Sequence, residues 1–159
     1  MGDTANRLML RLRQRSPAGF AIALHVTYTT PKYYLVAYEK DWLDYYSARG
    51  FVMTDPTAIW GFANFGTIRW SALADSDAGG VLKDAARFGL KYGITTSLSG
   101  EASRTIASFS RNDREMSDLD IAAINKDLKE LHKLTLGAQF FTPSLHETLR
   151  QLSIYLTHG

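Results

Sequence analysis

Four strand-like segments constrain the fold more than any other feature of this sequence. Residues 20–26 and 32–38 are rich in β-branched and aromatic residues. Residues 94–98 and 105–110 are two further strands, and the turn at Ser99-Gly100-Glu101 predicts that they form an antiparallel hairpin. The run Thr67 to Trp70 is a short fifth candidate. A chain with this many closely spaced strands must build its core around a sheet.

Helix signals alternate with these strands. Asp3 or Thr4 can cap a first helix that ends before Ser16-Pro17, and residues 39–49 and 78–92 predict two more helices. A capping box at residues 117–120 predicts a fourth helix, whereas residues 51–65 are predicted to be irregular. The alternation predicts an α/β fold. The expected architecture is an α-β-α sandwich with a central, mainly antiparallel sheet of about five strands and helices on both faces.

Length, charge and composition exclude several classes of protein. The 159 residues suffice for one domain with a core and a small appendage, and the net charge of +2 is too small to indicate nucleic-acid binding by itself. The absence of cysteine excludes disulfide frameworks, thiolate metal sites and cysteine nucleophiles. No secretory signal pattern and no apolar run of about 18 residues are present, so we expect a cytoplasmic protein without a membrane span.

Aromatic and acidic residues in the middle of the chain are the best candidates for a functional site. Trp42 and Tyr46 share a helical face, Asp55 precedes a proline, and Trp70 ends a strand-like run. Together they offer two indole N–H donors, a hydroxyl and a carboxylate, which suit a small, mostly apolar ligand with an amide and a compact polar head. Taken singly, each has a commoner explanation, as a core aromatic residue or a turn former. The combination favours a binding site.

These residues resemble a known family. The spacing Trp-x3-Tyr-x8-Asp-Pro-x13-Trp, followed by the segment from Gly89 to Thr95, is similar to the autoinducer-binding domain of LuxR-type quorum-sensing transcriptional regulators. The resemblance runs from about Tyr28 to Leu136. It implies the same sandwich architecture, a ligand between the sheet and the helices, and an N-acyl homoserine lactone as that ligand.

The resemblance also implies a role for each site residue. Trp42 would donate its indole N–H to the lactone carbonyl, Asp55 would accept the ligand's amide N–H, Tyr46 would donate to the amide carbonyl, and Trp70 would cover the lactone ring. Further positions match residues that line the acyl chain or meet the ligand's polar groups, although core packing is an equally good explanation for each. These are Tyr38, Thr57, Ala58, Val81, Leu82, Ala85, Leu90, Thr95 and Ser108.

No pattern in the sequence indicates an enzyme. A Gly-x-Ser-x-Gly elbow is absent, Thr67 stands where a P-loop needs lysine, and the four histidines are scattered without metal-ligand spacing. We therefore expect no catalytic residues, no metal and no cofactor, only a ligand.

The end of the chain leaves its organisation open. Residues 1–139 are expected to form the ligand-binding domain, and residues 140–159 the start of a truncated helix-turn-helix domain or a C-terminal helix that begins at Thr142-Pro143. The inward residues of that last helix would be Leu145, Leu149, Leu152 and Leu156. DNA recognition requires a second helix, so DNA binding is expected only through a domain that is absent or incomplete here.

The resemblance implies a homodimer, and two alternatives remain. The chain could be an orphan sensor of another small amphipathic ligand, such as an aryl or fatty amide. It could also be a short regulator without a DNA-binding domain that inhibits a full-length receptor by heterodimerisation.

Overall fold

A single antiparallel sheet organises the molecule. The computed structural model describes residues 2–100, 103–136 and 155–158, with side chains for residues 4–100 and 103–136. The strands in this part of the chain are β1 (Gly19–Thr27), β2 (Thr30–Val36), β3 (Gly66–Arg69), β4 (Tyr92–Gly100), β5 (Ser103–Arg111) and β6 (Tyr155–His158). Their order is β3-β4-β5-β1-β2-β6, and all neighbours are antiparallel. The five expected strands are confirmed, and β6 adds an edge strand.

Helices cover both faces of the sheet, as predicted. In the described residues they are α1 (Gly2–Arg15), α2 (Lys40–Ala48), α3 (Pro56–Ala63), α4 (Val81–Arg87) and α5 (Asp118–Leu134), with two 3-10 helices at Phe51–Met53 and Trp70–Ser76. Helices α1 and α5 pack on one face, and α2, α3 and α4 lie over the other. None of these helices has the length and apolarity needed to cross a bilayer.

Two elements differ from the sequence prediction. Residues 56–63 form helix α3 rather than an irregular segment, because Asp55 is its N-cap and Pro56 occupies its first turn. The Asp-Pro pair therefore begins a helix instead of marking a turn. Helix α4 is shorter than the predicted 78–92, because Gly80 precedes it at φ 74° and Gly89 follows it at φ 92°.

The end of the chain differs as well. The predicted start of the last helix at Thr142-Pro143 lies outside the described residues, as do Leu145, Leu149 and Leu152. Leu156, expected on the inward side of that helix, instead lies in strand β6, where it pairs with Leu35 of β2. The proposed domain boundary at residue 139 stays a prediction.

Side chains of β1 alternate between two environments, and a bulge moves Val26 from one to the other. Phe20, Ile22 and Leu24 enter the core between the sheet and helices α1 and α5. The register shifts between Ala23 and Val26, where His25 adopts a left-handed φ of 57°. The extra residue sends Val26 to the same side as Ala23, where both line a cavity.

Candidate ligand-binding site

A cavity of about 430 Å³ lies between the sheet and helices α2, α3 and α4. That volume is within the range of ordinary small-molecule pockets. Every residue proposed for the site from sequence lines this cavity except Thr95, which is fully buried behind it. The cavity therefore brings together Tyr38, Trp42, Tyr46, Asp55, Thr57, Ala58, Trp70, Val81, Leu82, Ala85, Leu90 and Ser108.

Asp55 is the most heavily hydrogen-bonded side chain of the cavity. Its Oδ1 accepts from the Thr57 backbone N–H at 2.9 Å and from the Thr57 hydroxyl at 2.7 Å. Its Oδ2 accepts from the Tyr46 hydroxyl at 2.7 Å. A carboxylate has about four acceptor positions, so one position on Oδ2 remains for a ligand. Asp55 thus caps α3 and joins it to α2.

This arrangement changes the role expected for Tyr46. Its single O–H donor points to Asp55, so it is not available to an amide carbonyl while that bond is kept. Burial, and then the charge of Asp55, raise the pKa of Tyr46 far above its ordinary value. The phenol consequently stays protonated and donates to the carboxylate.

Trp42 presents an unused donor. Its ring is buried against four other aromatic rings, those of Tyr45, Tyr46, Phe51 and Phe88, with centroids 5.3 to 6.2 Å away. No group in the described residues accepts a hydrogen bond from its indole N–H. A rigid ring with a free N–H at a cavity wall is well suited to hold a ligand carbonyl.

Two linked hydrogen bonds hold Trp70 in place. Its indole N–H donates to Thr95 Oγ1 at 3.0 Å, and that hydroxyl lies 2.7 Å from Ser108 Oγ. The ring covers Gly93, where any side chain would overlap it. Gly93 is therefore needed for the position of Trp70, and Thr95 acts by holding Trp70 and Ser108 rather than by lining the cavity. Because its N–H is used, Trp70 offers a ligand mainly its apolar face.

Two contacts hold α4 over the cavity. Asp77 accepts from the backbone N–H groups of Val81 and Leu82 at 2.8 and 2.9 Å, and so satisfies the start of the helix. The Tyr45 hydroxyl donates to Asp84 at 2.9 Å, which joins α4 to α2. These contacts set Val81 and Ala85, both buried, against the cavity.

Apart from Ser108, the sequence analysis did not identify the residues on the sheet side of the cavity. Ala21 and Ala23 line it from β1, and a small residue at every second position of a predicted strand was a signal that space is left there. The other missed lining residues depend on strand register and loop placement, which spacing alone does not give. They are Val26, Thr29, Pro31, Tyr34, Leu43, Val52, Phe62, Ile106 and Ala107.

Comparison with known proteins decides the family. A family model described as the autoinducer binding domain matches residues 7–139, most of the chain. The chain belongs to the autoinducer-binding domain family. Such domains of LuxR-type regulators sense small ligands and are not enzymes. No three histidine, aspartate or glutamate side chains of the described residues come together as a metal site in this autoinducer-binding domain. A search of curated proteins finds no match to its sequence.

Solved structures share the fold of this autoinducer-binding domain. A solution structure of Escherichia coli SdiA residues 1–171 superposes with a TM-score of 0.62 at 26% identity, covering 84% of this chain and 85% of that one. CepR2 from Burkholderia cenocepacia, described as an N-acylhomoserine-lactone-dependent LuxR-family factor, gives 0.56 at 17% identity, covering 96% and 98%. SdiA in complex with octanoyl-rac-glycerol gives 0.57 at 23% identity, covering 89% of this chain but only 62% of that one.

Proposed function

We propose that this domain is the sensor of a quorum-sensing regulator and binds an N-acyl homoserine lactone. The observation that carries the proposal is a cavity of about 430 Å³ lined by Asp55 and by Trp42, whose N–H has no acceptor in the described part of the chain. The rest of the lining is largely apolar. Such a cavity matches a molecule with a small polar head and a hydrocarbon chain.

The head of the ligand would use groups that the protein leaves free. Trp42 would donate its N–H to the lactone carbonyl, and the remaining acceptor position on Asp55 Oδ2 would receive the amide N–H. The apolar face of Trp70 would cover the ring. Each hydrogen bond would contribute roughly 1 kcal/mol, and the one to the carboxylate about 1.5–3 kcal/mol.

The acyl chain would follow the sheet away from this head. Ala21 pairs with Ser108 and Ala23 with Ile106, so the lining between β1 and β5 changes from polar to apolar along the strands. Val26 and Pro31, which pair across β1 and β2, continue it. Burial in this channel would stabilise the complex by about 0.8 kcal/mol for each methylene removed from water.

A thermal-shift titration tests the proposal. The melting temperature should rise with an acyl homoserine lactone and not with its ring-opened acid, and saturation at a hundred times Kd would correspond to about 2.7 kcal/mol. Trp42→Phe keeps the ring but removes the donor, so it should weaken binding. Trp60→Phe changes a tryptophan that does not line the cavity and serves as the matched control. No shift with any chain length would contradict the proposal.

A second candidate is an acyl ligand with a different polar head. The SdiA complex named above holds octanoyl-rac-glycerol, which has an acyl chain but neither an amide nor a lactone. Tyr38, whose hydroxyl has no partner in the described residues, would supply a further polar group for such a head. A shift with a monoacylglycerol and none with a lactone would favour this candidate.

The proposal also includes that the domain is a cytoplasmic homodimer. Light scattering would measure the mass of the particle in solution and so test the dimer.

A further inference from the structure

Tyr34 places a further hydroxyl in the cavity, on the sheet side. On the sheet, Tyr34 of β2 pairs with Ala23 of β1, and Ala23 pairs with Ile106 of β5. Paired residues share a face of the sheet, so these three side chains form one row, and all three line the cavity. Tyr33 and Leu35, the neighbours of Tyr34 on the strand, are buried in the core on the opposite face.

The Tyr34 hydroxyl has no hydrogen-bond partner in the described residues. Tyr45 and Tyr46 differ in this respect, because their hydroxyls donate to Asp84 and Asp55. Burial, and then the charge of Asp55, raise the pKa of Tyr34. The phenol is therefore a protonated donor that lies near enough to Asp55 to sense its charge.

A bound ligand changes the surroundings of this donor. Water can accept a hydrogen bond from this hydroxyl when no ligand covers it, because 38% of the Tyr34 surface is accessible. A saturated chain that displaces this water leaves the hydroxyl unpaired, which weakens binding. A chain that has an oxygen at this point replaces the water and keeps the bond. The donor therefore favours one class of chain over the other.

We propose that Tyr34 is a specificity-determining residue that selects ligands with a carbonyl or hydroxyl oxygen on the chain close to the polar head. This inference rests on the proposed function and narrows it. Ala23 and Ile106, which share its row, offer no polar atom to such an oxygen, so within that row the selection depends on Tyr34. Tyr46 does not compete for the oxygen, since its O–H is bonded to Asp55.

The experiment compares two probes that differ by one oxygen. Dissociation constants for N-octanoyl and N-(3-oxooctanoyl) homoserine lactone would be measured with the whole chain by calorimetry. The wild-type protein should prefer the 3-oxo probe by about 3- to 10-fold, the usual range for one neutral hydrogen bond. Tyr34→Phe removes one oxygen atom and keeps the ring, so it should bring this ratio close to one.

Tyr92→Phe is the control, because Tyr92 is similarly accessible but does not line the cavity, and it should keep the wild-type ratio. A Tyr34→Phe protein that retains the wild-type ratio, or a wild-type protein that prefers the plain chain, would overturn the inference. Binding of neither probe to the wild-type protein would overturn the proposed function, and this inference with it. The wild-type ratio needs no variant, so the test holds even if Tyr34→Phe folds poorly.

Discussion

The two faces of the sheet are built from the same strands but packed differently. On the face toward α1 and α5, large side chains such as Phe20, Leu24 and Phe109 are fully buried and fill the space. On the face toward α2, α3 and α4, Ala21 and Ala23 occupy the alternate positions of β1 and leave a cavity. Side-chain size at alternate positions of one strand therefore determines which face is solid and which is hollow.

The polar groups differ between the faces as well. The hollow face leaves the Trp42 N–H and the Tyr34 hydroxyl without partners in the described residues. On the solid face, both ring nitrogens of His25 have partners, Ser103 at 2.7 Å and Thr135 at 2.8 Å. His25 on one face thus has both of its ring nitrogens satisfied within the protein, whereas Trp42 and Tyr34 on the other keep donors that a ligand could use.

The largest effect should come from a cavity created on the solid face. Phe109→Ala removes a ring that is fully buried and packs 6.0 Å from that of Phe20. The free energy of unfolding should fall by about 3–5 kcal/mol. Ile106 lies on the same strand but lines the cavity, so Ile106→Ala should lower the free energy of unfolding by clearly less. Urea unfolding of both variants measures the difference, and equal losses would contradict the distinction between the faces.

The structure explains why much of this was predictable and some was not. The strands, the α5 capping box and the family pattern depend on local sequence, and they were found. Helix α3 was missed because Asp55-Pro56 is compatible with either a turn or a helix start. The bulge at His25, which turns Val26 toward the cavity, has no local sequence signal. The bonds of Asp55 to Tyr46 and Thr57 depend on how α2 and α3 meet in three dimensions, which spacing does not determine.

The second-largest effect should come from Asp55, whose carboxylate lines the cavity on the hollow face. Asp55→Asn should weaken lactone binding by about 1.5–3 kcal/mol, the range for a hydrogen bond to a charged group. Asparagine can still cap α3 through its Oδ1, but its NH2 group cannot accept from the Tyr46 hydroxyl, so the free energy of unfolding should fall by about 1 kcal/mol. Asp77→Asn is the control, because Asp77 caps α4 without lining the cavity. Equal lactone affinities for wild type and Asp55→Asn would remove Asp55 from the binding site.

Stability should depend on pH through His25, which lies on the solid face. Burial, and then the neighbouring His132, whose ring lies 4.4 Å away, lower the pKa of His25 to about 4. The unfolded histidine titrates near pH 6.5. Between these values the unfolded chain binds a proton that the folded chain does not. Stability from His25 is thus complete above pH 6.5 and is lost as the pH falls toward 4.

His25→Asn isolates this effect, because asparagine tolerates the left-handed backbone at this position. Between pH 4 and 6.5, the free energy of unfolding should depend less steeply on pH than in wild type. The difference in slope should correspond to at most one proton bound on unfolding. Carboxyl groups titrate in both proteins and cancel in this comparison. Parallel curves for the two proteins would show that His25 is not the titrating group.

The smallest change in stability should come from filling the hollow face. Ala23→Val adds two methyl groups where the cavity has room, so unfolding free energy should change by less than about 1 kcal/mol. Ala37→Val adds the same atoms to the filled core, where overpacking usually costs about 1–3 kcal/mol. The valine at position 23 should nevertheless alter ligand choice, because its methyl groups occupy space that the acyl chain would use. Titration with a series of lactones should show the preferred chain shortened by about two carbons. An unchanged preference, or a loss of stability as large as that of Ala37→Val, would mean that Ala23 borders no space open to a ligand.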